Sequence, residues 1–80
     1  MSNPIDVRAS FAQLYPNIAK FLAADGKIRM GYMYMLEAFV GAYDEGGTIY
    51  EGKSSYPSLD IALEDLDRGI KAYNDQWGIF

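Results

Sequence analysis

Carboxylates carry most of the chemical potential in this chain. Asp44, Glu45 and Glu51 fall near one predicted chain reversal, and Glu37 joins them as a possible fourth acid. Hard cations take oxygen ligands, so this is the set a calcium or magnesium site would draw on. Its spacing matches no cation-binding loop, and no metal is expected. Glu64 and Asp65 are neighbours on a predicted helix, where successive side chains point about a quarter-turn apart. Both read as solvated surface rather than as an acid/base pair. Ser54-Ser55 have no base beside them, because the chain contains no histidine, and no cysteine either. Their absence excludes disulfides, thiol nucleophiles and thiolate zinc sites, and removes the commonest general base. Gly41, Gly46, Gly47 and Gly52 surround a strand instead of opening a helix after one, as a phosphate-binding loop requires. Nothing meets the requirements of an active site. The expectation is a non-enzymatic protein without a cofactor.

Composition narrows the partners. The 80 residues include seven Lys and Arg against eleven Asp and Glu, a net charge of −4. Nucleic-acid affinity grows with the number of phosphates neutralised, and these few scattered bases predict none. An anionic membrane surface is disfavoured for the same reason. No apolar run is long enough for a membrane span, and Met1-Ser2-Asn3-Pro4 does not read as a signal peptide, so a cytoplasmic location is expected. Half the residues are hydrophobic and 15% aromatic, seven of them tyrosine. A disordered chain would carry fewer aromatics, so one small folded domain over residues 1–80 is predicted.

Hydrophobic periodicity supplies the elements. Asn3-Pro4 reads as a helix start, and Val7, Phe11, Leu14, Ile18 and Phe21 recur at helical spacing. Pro16 interrupts them, predicting either a kink or two short helices. Asp25-Gly26 ends the segment, with glycine suited to the left-handed cap. Three antiparallel strands are expected next, Lys27–Tyr32, Met35–Tyr43 and Thr48–Glu51. A weak turn falls near Met33-Tyr34, and a strong one at Asp44-Glu45-Gly46-Gly47. Ser58 caps a final helix with the stripe Leu59, Ala62, Leu63, Leu66, Ile70, Tyr73 and Trp77. Glu64–Arg68 and Asp67–Lys71 form acid-first pairs four apart, and Gly69 weakens this helix by about 1 kcal/mol. The predicted fold is α+β: helix, three-stranded meander, helix, with both helices on one sheet face.

The sheet raises a functional expectation. Leu36, Ala38, Val40 and Ala42 alternate with Glu37, Phe39, Gly41 and Tyr43, while Ile49 and Glu51 oppose Thr48 and Tyr50. Whichever face the helices cover, large apolar groups remain on the other, whereas a solvated face should be polar. This predicts a protein interface, most simply a homodimer through the uncovered face or edge. Its candidate anchors are Phe39, Tyr43, Ile49 and Tyr50. The competing reading is that the outer aromatics are half exposed singly, as on many surfaces.

The run Phe39–Gly52, followed by Tyr56–Leu63, resembles a family of small uncharacterised bacterial proteins. In these a strand ends in Asp-Glu-Gly-Gly, an aromatic-Glu-Gly strand follows, and a helix opens with Leu-Asp and an alanine. The resemblance spans Gly26 to Trp77 and implies no assigned activity. More distantly, the Glu-Gly-Gly hairpin leading into a capped Ala-Leu helix is similar to HicB-type antitoxins. Their longer Leu-Pro-Gly-like insertion and separate DNA-binding segment are missing here. That resemblance implies an alternative, an acidic inhibitor of a basic partner protein. The element order also matches double-stranded RNA-binding domains, but their basic loop and helix-start lysines are absent. Order alone gives shape, not function. A small-ligand-binding protein is the third reading, since tyrosines can stack on a flat ligand.

Overall fold

The computed structural model describes residues 7–32 and 37–78, with side chains from residue 10 onward. The expected helix start at Asn3-Pro4 and the expected turn at Met33-Tyr34 lie outside the described residues. The elements run α1 (Val7–Leu14), α2 (Pro16–Ala23), β1 (Lys27–Met30), β2 (Val40–Asp44), β3 (Gly47–Glu51) and α3 (Leu59–Trp77). The strands pair antiparallel in the order β1-β2-β3, giving the α+β meander flanked by helices that the sequence predicts. Ile18 and Phe21 of α2, Val40 and Ala42 of β2, and Ala62, Leu66 and Ile70 of α3 form one buried cluster. Both α2 and α3 therefore cover the same sheet face.

Pro16 separates two helices rather than kinking one. Tyr15 leaves helical geometry at φ −132°, ψ 68°, and Pro16 opens α2, where its missing donor costs nothing. Tyr15 gives α2 no side-chain cap. The cap comes from α3: Asp67 Oδ1 accepts from the backbone N–H of Asn17 and of Ile18, both at 2.9 Å. Asp67 Oδ2 accepts from Asn17 Nδ2, also at 2.9 Å. The expected Asp67–Lys71 pair is thereby lost, and Lys71 bonds Asp75 at 2.7 Å instead.

At the α2–β1 turn it is Asp25, at φ 66°, that takes the left-handed conformation, which aspartate tolerates better than most residues. Gly26 is needed for a different reason. A Cβ there would come within 2.5 Å of the Phe21 ring.

The first two strands are shorter than expected, while β3 gains Gly47. β1 stops at Met30, before Gly31 at φ +107°, and β2 begins only at Val40. Arg29 supplies the reason. Its Nη1 donates to the Gly31 carbonyl at 2.5 Å and its Nη2 to the Ala38 carbonyl at 2.6 Å, so both ends of the β1–β2 connection are clasped by one guanidinium. The β2–β3 reversal falls at Asp44–Gly47 as predicted, with Asp44 Oδ1 accepting from Gly46 N–H at 2.8 Å and Gly47 at φ +120°. Ala42 pairs with Tyr50 but Tyr43 with Thr48, so Ile49 is an extra residue in a β-bulge.

α3 starts and stops as the sequence indicates. Ser58 Oγ accepts from Ile61 N–H at 3.2 Å, and Gly78 closes the helix at φ 67°. Its 19 residues run about 28 Å, against about 17 Å for a five-residue strand. The helix overhangs the sheet at both ends, leaving Leu59 57% and Trp77 64% exposed.

Candidate functional site

The register fixes what the outer sheet face carries. Arg29, Gly41 and Glu51 form one row and Lys27, Tyr43 and Thr48 the next. Tyr43 lies over Gly41, where a Cβ would clash with its hydroxyl, and Arg29 Nε donates to that hydroxyl at 3.3 Å. The expectation of a sheet apolar on both faces is therefore corrected: this face is charged and hydroxylic around one tyrosine. The edges are guarded, β1 by Lys27 and Arg29 and β3 by its bulge.

The four anchors expected from sequence do not share a surface. Tyr50 faces α3, its ring so close to Gly69 that a Cβ there would lie 2.5–2.6 Å from three ring carbons. The bulge puts Ile49 and Tyr50 both against the core cluster. Tyr43 stays on the outer face. Phe39 also packs against the core cluster, but stacks edge-on with Tyr32 at 5.2 Å and with Tyr56 at 6.4 Å between ring centroids.

These three rings, with Ser58 and Leu59, line an open cleft of about 180 Å³ beneath the overhanging start of α3. Tyr32 is 68% exposed, and its hydroxyl donates to the Ser54 carbonyl at 2.9 Å. Tyr56 is held from both sides, donating to Asp65 Oδ2 and accepting from Lys53 N–H at 2.8 Å. Asp65 Oδ1 accepts from Tyr50 at 2.9 Å. Far from being solvated like Glu64, Asp65 is half-buried and ties β3, the following loop and α3 together. Two of the three cleft rings, Tyr32 and Tyr56, are thus fixed by their hydroxyls, with little side-chain freedom left to lose on contact.

Tyr50 and Tyr56 do not lend themselves to base or nucleophile work. Burial first, and then the hydrogen bond to Asp65, push Tyr50 up to about 12. Burial, again ahead of the bond to Asp65, raises Tyr56. Both stay protonated at neutral pH, whereas a tyrosine base or nucleophile needs its pKa lowered. Tyr15, at the α1–α2 joint, is raised by burial and then by the nearby Asp60, Glu64 and Asp67. Among the described residues no three acidic side chains converge as a cation site would need, and Asp44 already serves the hairpin turn. No helix among them is long and apolar enough to cross a membrane.

Tyr32, Tyr56 and Leu59 are the cleft residues that periodicity alone assigns to a strand, a loop and the core. The signal for Leu59 is arithmetic: a helix that outruns its sheet must expose the first members of its stripe. Comparison with protein-family models, with curated proteins and with solved structures finds no match to this chain.

Proposed function

We propose that this protein is a non-enzymatic protein-interaction module whose contact surface is the aromatic cleft rather than the outer sheet face. The observation that carries the reading is the grouping of Tyr32, Phe39, Tyr56 and Leu59 around an open hollow. Preorganised aromatics at a partly exposed apolar site are what interface anchors consist of. A volume of about 180 Å³ is small against the roughly 300–1,000 Å³ of small-molecule pockets, which favours a protruding side chain over a free ligand. The acid-rich start of α3, with Asp60, Glu64 and Asp65 and no base before Arg68, suits a partner whose contacting segment is neutral or basic.

A photo-crosslinking amino acid in place of Tyr32, compared with one at exposed Lys20, tests this in cells. A discrete adduct from position 32 and none from position 20 is expected. Equal labelling from both positions, or none from either, refutes the reading. A reproducible adduct with a basic protein would instead match the antitoxin-like alternative.

A further inference from the structure

Tyr32 is the least supported wall of the cleft. It lies past the end of β1, in neither strand nor helix, directly after Gly31 at φ +107°, and is 68% exposed. Its hydroxyl bond to the Ser54 carbonyl is itself exposed, where water competes for both partners. The opposite wall is held by other means. Phe39 N–H donates to the Lys53 carbonyl and Lys53 N–H to the Tyr56 hydroxyl, each at 2.8 Å, and Tyr56 donates to Asp65 on α3. None of these bonds involves Tyr32. The backbone bond from Gly31 N–H to the Phe39 carbonyl, at 2.8 Å, stops one residue short of it. Beyond that point the two rings are related through Arg29. Its terminal nitrogens bond the carbonyls of Gly31 and Ala38, which belong to the peptide units leading into Tyr32 and Phe39. A guanidinium is planar and rigid, so peptides seated on its fork keep a fixed separation and aim the side chains that follow them.

We infer that Arg29 is the positioning residue of the cleft: without lining it, Arg29 sets the Tyr32 ring against Phe39 and so determines whether the hollow between them is formed. This rests on the cleft being a docking surface, and it adds how that surface is kept ready for a partner. Three observations select Arg29. The cleft is lined by Tyr32, Phe39, Tyr56, Ser58 and Leu59, so Arg29 acts through the two peptides and not by contact. Among the described residues no carboxylate pairs with it; its donors go to two carbonyls and, at 3.3 Å, to the Tyr43 hydroxyl. That makes its geometry, and not an ion pair, the property in use. Finally, Tyr43 can reach Nε because it lies over Gly41, where a Cβ would clash with its hydroxyl. The Arg29–Tyr43 pair on the outer sheet face then serves the cleft and needs no partner of its own. Lysine cannot take this place, since its ammonium is a point charge on a flexible stem without a fork.

The test is ring-to-ring nuclear Overhauser contacts by NMR, on the full chain as wild type, Arg29→Gln and Arg29→Lys. Wild type is expected to show contacts both between Tyr32 and Phe39 and between Phe39 and Tyr56. Two bonds from a charged donor hold the first pair, so losing the fork should shift the ratio of placed to displaced Tyr32 by on the order of a hundredfold. In both variants the Tyr32–Phe39 contacts should fall by at least about half on that account, while the Phe39–Tyr56 contacts stay as they are. A photo-crosslinking amino acid at Leu59, across the cleft, carries the result to docking. Its adduct in cells should drop about tenfold with either Arg29 variant, because apparent affinity follows the fraction of molecules whose site is formed. Tyr32–Phe39 contacts retained in either variant overturn the inference, as does an adduct that persists when those contacts are lost. Loss of both sets of contacts in both variants also overturns it, because Arg29 would then hold the fold and not the cleft. A wild-type cleft that gives no adduct refutes the docking surface instead, and the ring contacts still decide the role of Arg29.

Discussion

Gly69 sits in mid-helix, where alanine ordinarily stabilises by about 1 kcal/mol. Here the opposite is predicted, because the position is already occupied from outside. A Cβ at residue 69 would lie 2.5 Å from Cδ1 and Cγ of Tyr50 and 2.6 Å from Cδ2, about 1 Å inside ordinary contact distance. The ring cannot slide away freely, since its hydroxyl is bonded to Asp65 at 2.9 Å and that bond contributes about 1 kcal/mol or more. Overpacking costs about 1–3 kcal/mol, and an overlap of about 1 Å with a tethered ring falls at about 2–3 kcal/mol, the upper part of that range. Set against the gain in helix propensity, Gly69→Ala should lose about 1–2 kcal/mol net. At this chain length that lowers Tm by roughly 4–15 °C. Urea denaturation followed by circular dichroism gives the free energy directly. The discriminating arm is a double-mutant cycle: once Tyr50→Ser has removed the ring, Gly69→Ala should become stabilising by up to about 1 kcal/mol, a coupling of about 2–3 kcal/mol. If Gly69→Ala raises stability in the wild-type background, the claim that Gly69 exists to seat Tyr50 is wrong.

Two further outcomes follow from the polar contacts. Tyr50 is raised to about 12 in the folded state from about 10 when unfolded, so the folded protein holds that proton over the interval between them. Stability should be intact below about pH 10 and fall as pH climbs toward 12, by on the order of 1 kcal/mol after solvent screening is allowed for. Absorbance titration of tyrosinate should lose one of its late-titrating groups in Tyr50→Phe; an unchanged late phase refutes the assignment. Asp67→Ala takes the cap from two backbone donors of α2 and should cost about 2 kcal/mol. Lys71→Ala, which breaks only the exposed pair with Asp75, should cost less than about 0.5 kcal/mol. Equal losses by chemical denaturation would contradict the cap.

Much of the architecture was legible because it is local. The middle of the α3 stripe, the Ser58 cap and the Asp44–Gly47 reversal each depend on residues within a turn of one another and were read correctly, whereas at Pro16 the spacing left a kink and two helices as alternatives. The site was not, for reasons that are also physical. One inserted residue at Ile49 changes the parity of the strand, turning Tyr50 from the expected outer face to the helix side; alternation cannot reveal a bulge in advance. Gly69 looked like a defect because its justification, the Tyr50 ring, is nineteen positions away. Asp67 was assigned to a neighbour on its own helix, whereas its real partners, Asn17 and Ile18, lie on another. Phe39 was a candidate from the outset, but it meets Tyr32 where Arg29 ties Gly31 to Ala38 and meets Tyr56 from the loop after β3, two contacts that spacing does not reveal.

The cap that Asp67 provides makes the early part of the chain wait for the late part. Eight residues are too few to hold a helix in water unaided, and α2 obtains its missing acceptor from a side chain fifty positions downstream. During synthesis, therefore, the Pro16–Ala23 segment has nothing to settle it until most of α3 has emerged. A fragment ending before residue 59 should not form α2, and in the whole chain α2 and α3 should appear together in one cooperative step.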